Sequence, residues 1–108
     1  MEIGIDIQKI DAFKDFEENK KFYEKVFSER EIEYCMKREG YKSCFCGKFC
    51  VKEAVIKALN KKVSFSNIEV LNSESGKPYV EIDSCRRNDF NVSLSHSGDV
   101  CVGVAIKV

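Results

Sequence analysis

Four places in this 108-residue chain group side chains that can do chemistry. Asp6 stands in "EIGIDI" two residues after Gly4, whose missing side chain lets another group approach the backbone closely. Glu53 and Lys57 are one helical turn apart in "GKFCVKEAVIKAL", residues 47–59. "SGKP" sets Lys77 between Gly76 and Pro78 in turn-forming sequence, and "SLSHS" holds the only histidine, His96, between Ser95 and Ser97. Two carboxylates, several lysines and an imidazole suit a magnesium-bound diphosphate. The ion takes one or two carboxylates and fills its shell with water and phosphate oxygens, while lysines neutralise the remaining charge. Each motif also has an ordinary reading. Glu followed four residues later by Lys is the favoured helical ion pair, worth only ~0.3 kcal/mol. A lone histidine at a strand end is commonly structural, and "SGKP" is a common turn. The residue types reach as far as an anion and metal site and do not name a substrate.

The elements that must position these groups can be read from periodicity. At about 100° per residue, Cys50, Val51, Ala54, Val55, Ala58 and Leu59 cover one half of a helix, with Glu53 and Lys57 on the other. In "EIGIDI" the isoleucines Ile3, Ile5 and Ile7 alternate with Glu2, Gly4 and Asp6, which predicts a strand whose isoleucine face is buried and whose Asp6 points away from it. Asp11 is a candidate cap for a first helix running to about Phe27. "SERE" at 28–31 is a capping-box pattern that opens a second helix ending near Gly40, and the helix carrying Glu53 begins around Ser43. Beyond Leu59 the period changes to two. Residues 67–71, 79–83, 90–95 and 100–108 alternate, with "SESGKP" and "SHSGD" as turns. One strand, three helices and four strands predict an α+β fold, with helices packed on one face of a mostly antiparallel sheet.

The length and the 44% hydrophobic content fit a single domain over 1–108. No apolar run approaches the ~20 residues that span a bilayer, and the N-terminus lacks a signal-peptide pattern, so a cytoplasmic protein without membrane contact is expected. In that reducing setting most of the six cysteines are expected to be small buried apolar groups. The net charge of zero conceals segregation: residues 1–36 carry −4, residues 37–62 carry +6 and residues 63–108 carry −2. A basic block of this kind attracts phosphates or an acidic protein, or is simply a solvated face.

In order along the chain, "GIDI" (4–7), "FSEREIEY" (27–34), the KEA-containing helix (47–59), "IEV" (68–70), "GKP" (76–78) and "VSLSHS" (92–97) resemble the holo-acyl-carrier-protein synthases, the short type of 4'-phosphopantetheinyl transferase. The resemblance implies the 4'-phosphopantetheinyl transferase fold. It also implies Mg²⁺-dependent transfer of phosphopantetheine from coenzyme A to a serine of apo acyl carrier protein, as in fatty acid biosynthesis, with release of adenosine 3',5'-bisphosphate. Asp6 and Glu53 correspond to the metal ligands. Glu53 and Lys57 correspond to the catalytic pair, with Lys57 also contacting the coenzyme A phosphates. Gly76, Lys77 and Pro78 would lie along the coenzyme, and Ser95, His96 and Ser97 would reach its nucleotide phosphates. Members of this type form homotrimers with the active site between subunits, and the same is expected here. Two segments differ from the family pattern: "NKKVSFS" (60–66) is short and lacks glycine, and 14–25 mixes Lys14, Lys20, Lys21 and Lys25 with four acids, so carrier docking is expected to fall more on the basic middle third.

Two other functions fit parts of the sequence. Cys44, Cys46 and Cys50 lie close together with Cys35 nearby, but no paired C-x₂-C framework is present to hold a metal. A non-catalytic module binding nucleotide or coenzyme A through the +6 segment is the main alternative. Nucleic acid is not expected as a partner, because few aromatics interleave with that segment and no nucleic-acid fold signature occurs.

Overall fold

A computed structural model describes residues 1–108. The chain runs β1 (Glu2–Lys9), α1 (Lys20–Val26), α2 (Glu29–Met36), α3 (Tyr41–Leu59), β2 (Ile68–Asn72), β3 (Pro78–Ile82), β4 (Cys85–Arg86), β5 (Phe90–Ser97) and β6 (Val100–Lys107). The strands form two three-stranded antiparallel sheets, ordered β1-β6-β5 and β2-β3-β4. The expected α+β arrangement is therefore present, with the antiparallel strands divided between two sheets. Strand β4 is too short to leave a period in the sequence; Asp83 and Ser84, both at positive φ, form the turn that leads into it. No helix is long and apolar enough to cross a membrane.

The 19-residue α3 organises the molecule by lying across β1 and β6. The crossing is so close that a Cβ on Gly4 would stand 1.8 Å from the Ala54 carbonyl oxygen, and one on Gly103 would stand 2.6 Å from the Cys50 backbone. Only glycine fits at either point. Val51, Ala54, Val55 and Ala58 of α3 pack with Val70, Val80, Ile82, Phe90, Val92 and Ala105 in one apolar cluster. Phe13, Phe16, Tyr23, Phe27 and Phe45 pack with Cys46 and Cys50 in a second. Burying each large apolar side chain contributes roughly 1.5–3 kcal/mol.

Three sequence expectations change. First, the isoleucine face of β1 is turned outward: Ile3, Ile5 and Ile7 are 63%, 59% and 63% exposed. Alternation identified the strand but not its inner face, which the close α3 crossing assigns to Gly4. Asp6 shares that face and does point away from the isoleucines. Second, no helix runs from Asp11 to Phe27. Residues 10–19 instead contain two short 3₁₀ turns. Asp15 accepts a hydrogen bond from the Glu18 amide at 3.2 Å, and Phe13 and Phe16 are pulled into the aromatic cluster, leaving only α1 helical. Third, α2 and α3 are tied covalently, because Cys35 and Cys44 form a disulfide. Cys46, Cys50 and Cys101 are buried free thiols, as expected, and Cys85 is exposed.

The capping box at Ser28 forms as expected and does more than cap. Glu31 Oε1 accepts from the Ser28 amide at 2.9 Å and pairs with Lys52 Nζ at 2.7 Å, while Oε2 accepts from the Val70 amide at 2.8 Å. Lys52 Nζ also donates to the carbonyls of Val26 and Phe65. Both charged groups are fully buried, and no buried side-chain polar atom is left without a partner. One carboxylate thereby locks α2, α3 and β2 together immediately beside Glu53.

Candidate active site

Strand β1 and helix α3 bring Asp6, Glu53 and Lys57 together. Lys57 Nζ donates to the Ile5 carbonyl at 2.8 Å and lies 3.4 Å from Asp6 Oδ1, while Gln8 donates to Asp6 Oδ2 at 3.1 Å. Glu53 takes part in no ion pair. The ordinary helical Glu53–Lys57 bridge is thus absent, because Lys57 reaches across to β1. Burial, and then the charge of Asp6, raises the Glu53 carboxyl above its usual range, with Lys57 opposing. Two carboxylates that repel one another, one of them without a partner, form a donor set that a divalent cation would relieve. No cluster of three or more metal-ligating side chains exists, so the remaining ligands would have to be water and substrate oxygens, which is the way Mg²⁺ is usually held.

A second cluster stands beyond the opposite edge strand. A cavity of about 440 Å³ is lined by Tyr34, Arg38, Ser43, Lys48, Asn72 and His96, with Pro78 at its border. Lys48 is 3% exposed and donates to the Val70 carbonyl at 2.5 Å and to Asn72 Oδ1 at 2.8 Å. Burial lowers its ammonium from 10.5 to about 8, helped by the charges of Lys52 and Arg38 and opposed by Glu31. Arg38 stacks on the Tyr34 ring at 3.8 Å, and the Lys48 ammonium lies 4.6 Å from the same ring. The turn before Pro78 closes through Ser73 N to Lys77 O at 2.9 Å and Gly76 N to Ser73 O at 2.8 Å, with Gly76 at φ 89°. Lys77 lines a neighbouring cleft of about 480 Å³ with Tyr79, Arg86 and Arg87, and Pro78 borders both spaces. Ser95 and Ser97 alternate to the sheet face opposite His96, so the structure does not gather them with it.

Residues 2–105 match the sequence profile of the 4'-phosphopantetheinyl transferase superfamily. The chain belongs to this superfamily. Among curated members it is 40% identical to the holo-[acyl-carrier-protein] synthase of Ruminiclostridium cellulolyticum, over 98% of this chain and 90% of that protein. It is 36% identical to that of Thermodesulfovibrio yellowstonii, over 96% and 95%. Its fold superposes on the Bacillus anthracis holo-(acyl-carrier-protein) synthase in complex with CoA (3',5'-ADP) with a TM-score of 0.82, at 29% identity over 98% of this chain and 94% of that one. The Helicobacter pylori synthase in complex with coenzyme A gives a TM-score of 0.82, at 26% identity over 98% and 99%.

Within this phosphopantetheinyl transferase chain the two clusters do not share one cleft. The cavity that His96 lines contains neither Asp6, Glu53 nor Lys57. Strands β1 and β5 are opposite edges of their sheet, and Lys48 is five residues before Glu53, about 140° around α3. Lys48 and Arg38 were not singled out from the sequence. A signal for Lys48 existed: it falls on the apolar stripe Cys44, Val51, Val55 at helical spacing, where a lysine has to be buried and partnered.

Proposed function

We propose that this chain, acting as a single transferase domain over 1–108, moves 4'-phosphopantetheine from coenzyme A to a serine of apo acyl carrier protein, giving holo-acyl carrier protein and adenosine 3',5'-bisphosphate. The observation that carries this reading is the pairing of an unpartnered Glu53, beside Asp6 and Lys57, with a separate cationic cavity around Lys48 and His96. The carrier serine oxygen attacks the phosphorus nearest pantetheine, and the bond from that phosphorus to the oxygen bridging the diphosphate breaks. Glu53, a carboxylate with no ion-pair partner, accepts the serine proton, directly or through a water. Lys57 stabilises the charge that grows on the departing phosphate. Asp6 and Glu53 would hold Mg²⁺, which when bound supplies positive charge to the diphosphate. His96, Lys48 and Arg38 hold the nucleotide phosphates, and the turn of Gly76, Lys77 and Pro78 borders the coenzyme, with Ser95 and Ser97 on the opposite face of the strand that carries His96.

The separation of the two clusters supports a homotrimer in which one subunit's carboxylates face another subunit's cationic cavity. The exposed Ile3, Ile5 and Ile7, with half-buried Val102, Val104 and Ile106 beside them, form an apolar sheet face of the kind that packs against another copy. The basic segment 37–62 suits docking of an acidic carrier protein. Fatty acid biosynthesis in the cytoplasm is the setting this activity implies. The test is incubation with coenzyme A, Mg²⁺ and apo acyl carrier protein, followed by mass spectrometry of the carrier. A gain of one phosphopantetheinyl group is expected. Coenzyme A binding without any modification would leave a non-catalytic coenzyme-binding module.

A further inference from the structure

Cys35 lies in the last turn of α2 and is fully buried, while Cys44 lies in the opening turn of α3, half-buried and lining the cationic cavity. Their Cα atoms are 5.5 Å apart, within the range a disulfide bridges without moving the backbone. The bond closes a loop, Met36–Ser43, that contains Arg38 and whose residues 36–40 are exposed. Helix α3 has no side-chain cap at Gly40, and one loop contact to α2 is the hydrogen bond from the Arg38 amide to the Cys35 carbonyl at 3.0 Å. The disulfide therefore fixes one cavity wall, Tyr34 and Arg38, against the other, Ser43 and Lys48. The three remaining core thiols differ from this pair. Cys46, Cys50 and Cys101 are shut off from solvent, and burial pushes the Cys46 and Cys50 thiols well above the usual thiol range, which suppresses the thiolates that exchange requires.

We propose that Cys35 and Cys44 form a reversible thiol–disulfide site through which the surrounding thiol pool sets how tightly the cationic cavity holds its phosphate ligand. This rests on reading that cavity as the nucleotide-phosphate site. The oxidant is a low-molecular-weight disulfide. The half-buried Cys44, the more accessible of the two, attacks one sulfur as its thiolate and releases one small thiolate. The Cys35 thiolate then attacks Cys44 Sγ, the internal bond forms and the second small thiolate leaves. In all, one small disulfide is reduced to two small thiols as two protein thiols are oxidised. In the oxidised form the cavity walls are held in place before the ligand arrives. In the reduced form the exposed 36–40 segment must be ordered by the ligand, which weakens binding. In a reducing compartment a disulfide is more often a responsive device than a permanent staple.

The experiment equilibrates the full chain in glutathione buffers of varied ratio, quenches exchange in one portion with acid, alkylates its free thiols under denaturing conditions, and locates them by peptide mass. Adenosine 3',5'-bisphosphate, which has no thiol of its own, is then titrated into each state by calorimetry. Oxidised glutathione should remove Cys35 and Cys44 together from the alkylated set and leave the other four, with a melting temperature higher by on the order of 10 °C. Affinity should be on the order of three- to tenfold tighter in the oxidised state. The double variant Cys35→Ser, Cys44→Ser should bind like the reduced protein in every buffer. Equal affinity in the two states, or a different cysteine pairing, would overturn the proposal while leaving the cavity reading intact. No binding in either state, with the Cys35–Cys44 bond nonetheless forming, would overturn the cavity reading and the switch with it.

Discussion

Glu53 and Lys57 stand one turn apart, yet Lys57 turns to Asp6 and the Ile5 carbonyl and leaves Glu53 without a partner. If Glu53 only decorated the helix surface, Glu53→Gln would cost at most ~0.5 kcal/mol and leave turnover unchanged. As a ligand and base it should be far less dispensable. We expect Glu53→Gln and Asp6→Asn each to lower turnover by on the order of a hundredfold or more while circular dichroism shows the fold intact. Raised Mg²⁺ should partly restore both but not Lys57→Ala. Full activity in folded Glu53→Gln would end the metal assignment. Lys48 makes a pH-dependent contribution. Its ammonium, lowered to about 8, leaves the free folded protein with fewer bound protons than the unfolded chain between that value and 10.5, so its effect on stability is a gain as pH rises through this window. Phosphate binding runs the other way, because it needs the charged form. KM for coenzyme A should climb as pH passes about 8, and Lys48→Arg, which keeps its charge, should flatten the climb. An unchanged KM profile in that variant would separate Lys48 from ligand binding.

At the level of elements, the buried Glu31–Lys52 pair joins α2 to α3 and holds the turn that carries Glu53. Lys52→Met removes the cation and leaves Glu31 charged in the core, so urea unfolding should show a loss of about 3–5 kcal/mol. The Glu31→Gln, Lys52→Met double variant should recover part of it. Recovery of none would mean that the hydrogen bonds to Ser28, Val70, Val26 and Phe65 matter more than the charges. The same pair shows where the sequence can be read and where it cannot. The Ser28 capping box was legible because it is local, running from Ser28 to Glu31. The partner of Lys52 was not, because a contact between residues 31 and 52 leaves no spacing to follow. Helix α3 and strands β2, β3, β5 and β6 follow from periodicity, which reports a repeat. Which face of β1 is buried depends on what lies over it, and alternation is blind to that. The segment 11–19 misled for the opposite reason: a plausible cap at Asp11 was outweighed by aromatic burial at Phe13 and Phe16. Asp6, Glu53 and Lys57 were legible as a group through resemblance, and the structure places them together. The cationic cavity was half legible, His96 from its motif and Lys48 only from its place among apolar residues at helical spacing on α3.

For the whole molecule, the question is how two clusters on opposite sides of α3 serve one diphosphate. The proposed homotrimer would answer it, and light scattering should then return about three times the 12.4 kDa chain mass. Ile5→Lys, placed in the exposed apolar face, should dissociate the assembly and abolish turnover while leaving each chain folded. Mass alone would not show that the site is shared, so the decisive measurement is complementation. Asp6→Asn lacks a carboxylate, and His96→Ala lacks the imidazole of the cavity. Each protein alone should be nearly inactive. If every site takes its carboxylates from one subunit and its cavity from the next, refolding the two variants together in equal amounts produces some sites with neither lesion. Such a site needs its carboxylates from a His96→Ala chain and its cavity from an Asp6→Asn chain, so random assembly should restore about one quarter of wild-type activity. If each chain instead builds a complete site of its own, every site carries a lesion whatever its neighbours, and the mixture should be as inactive as its parts. A mixed protein that sediments as a trimer but shows no recovered turnover would sink the shared site and require one chain to bring the Asp6 and His96 clusters together by a conformational change.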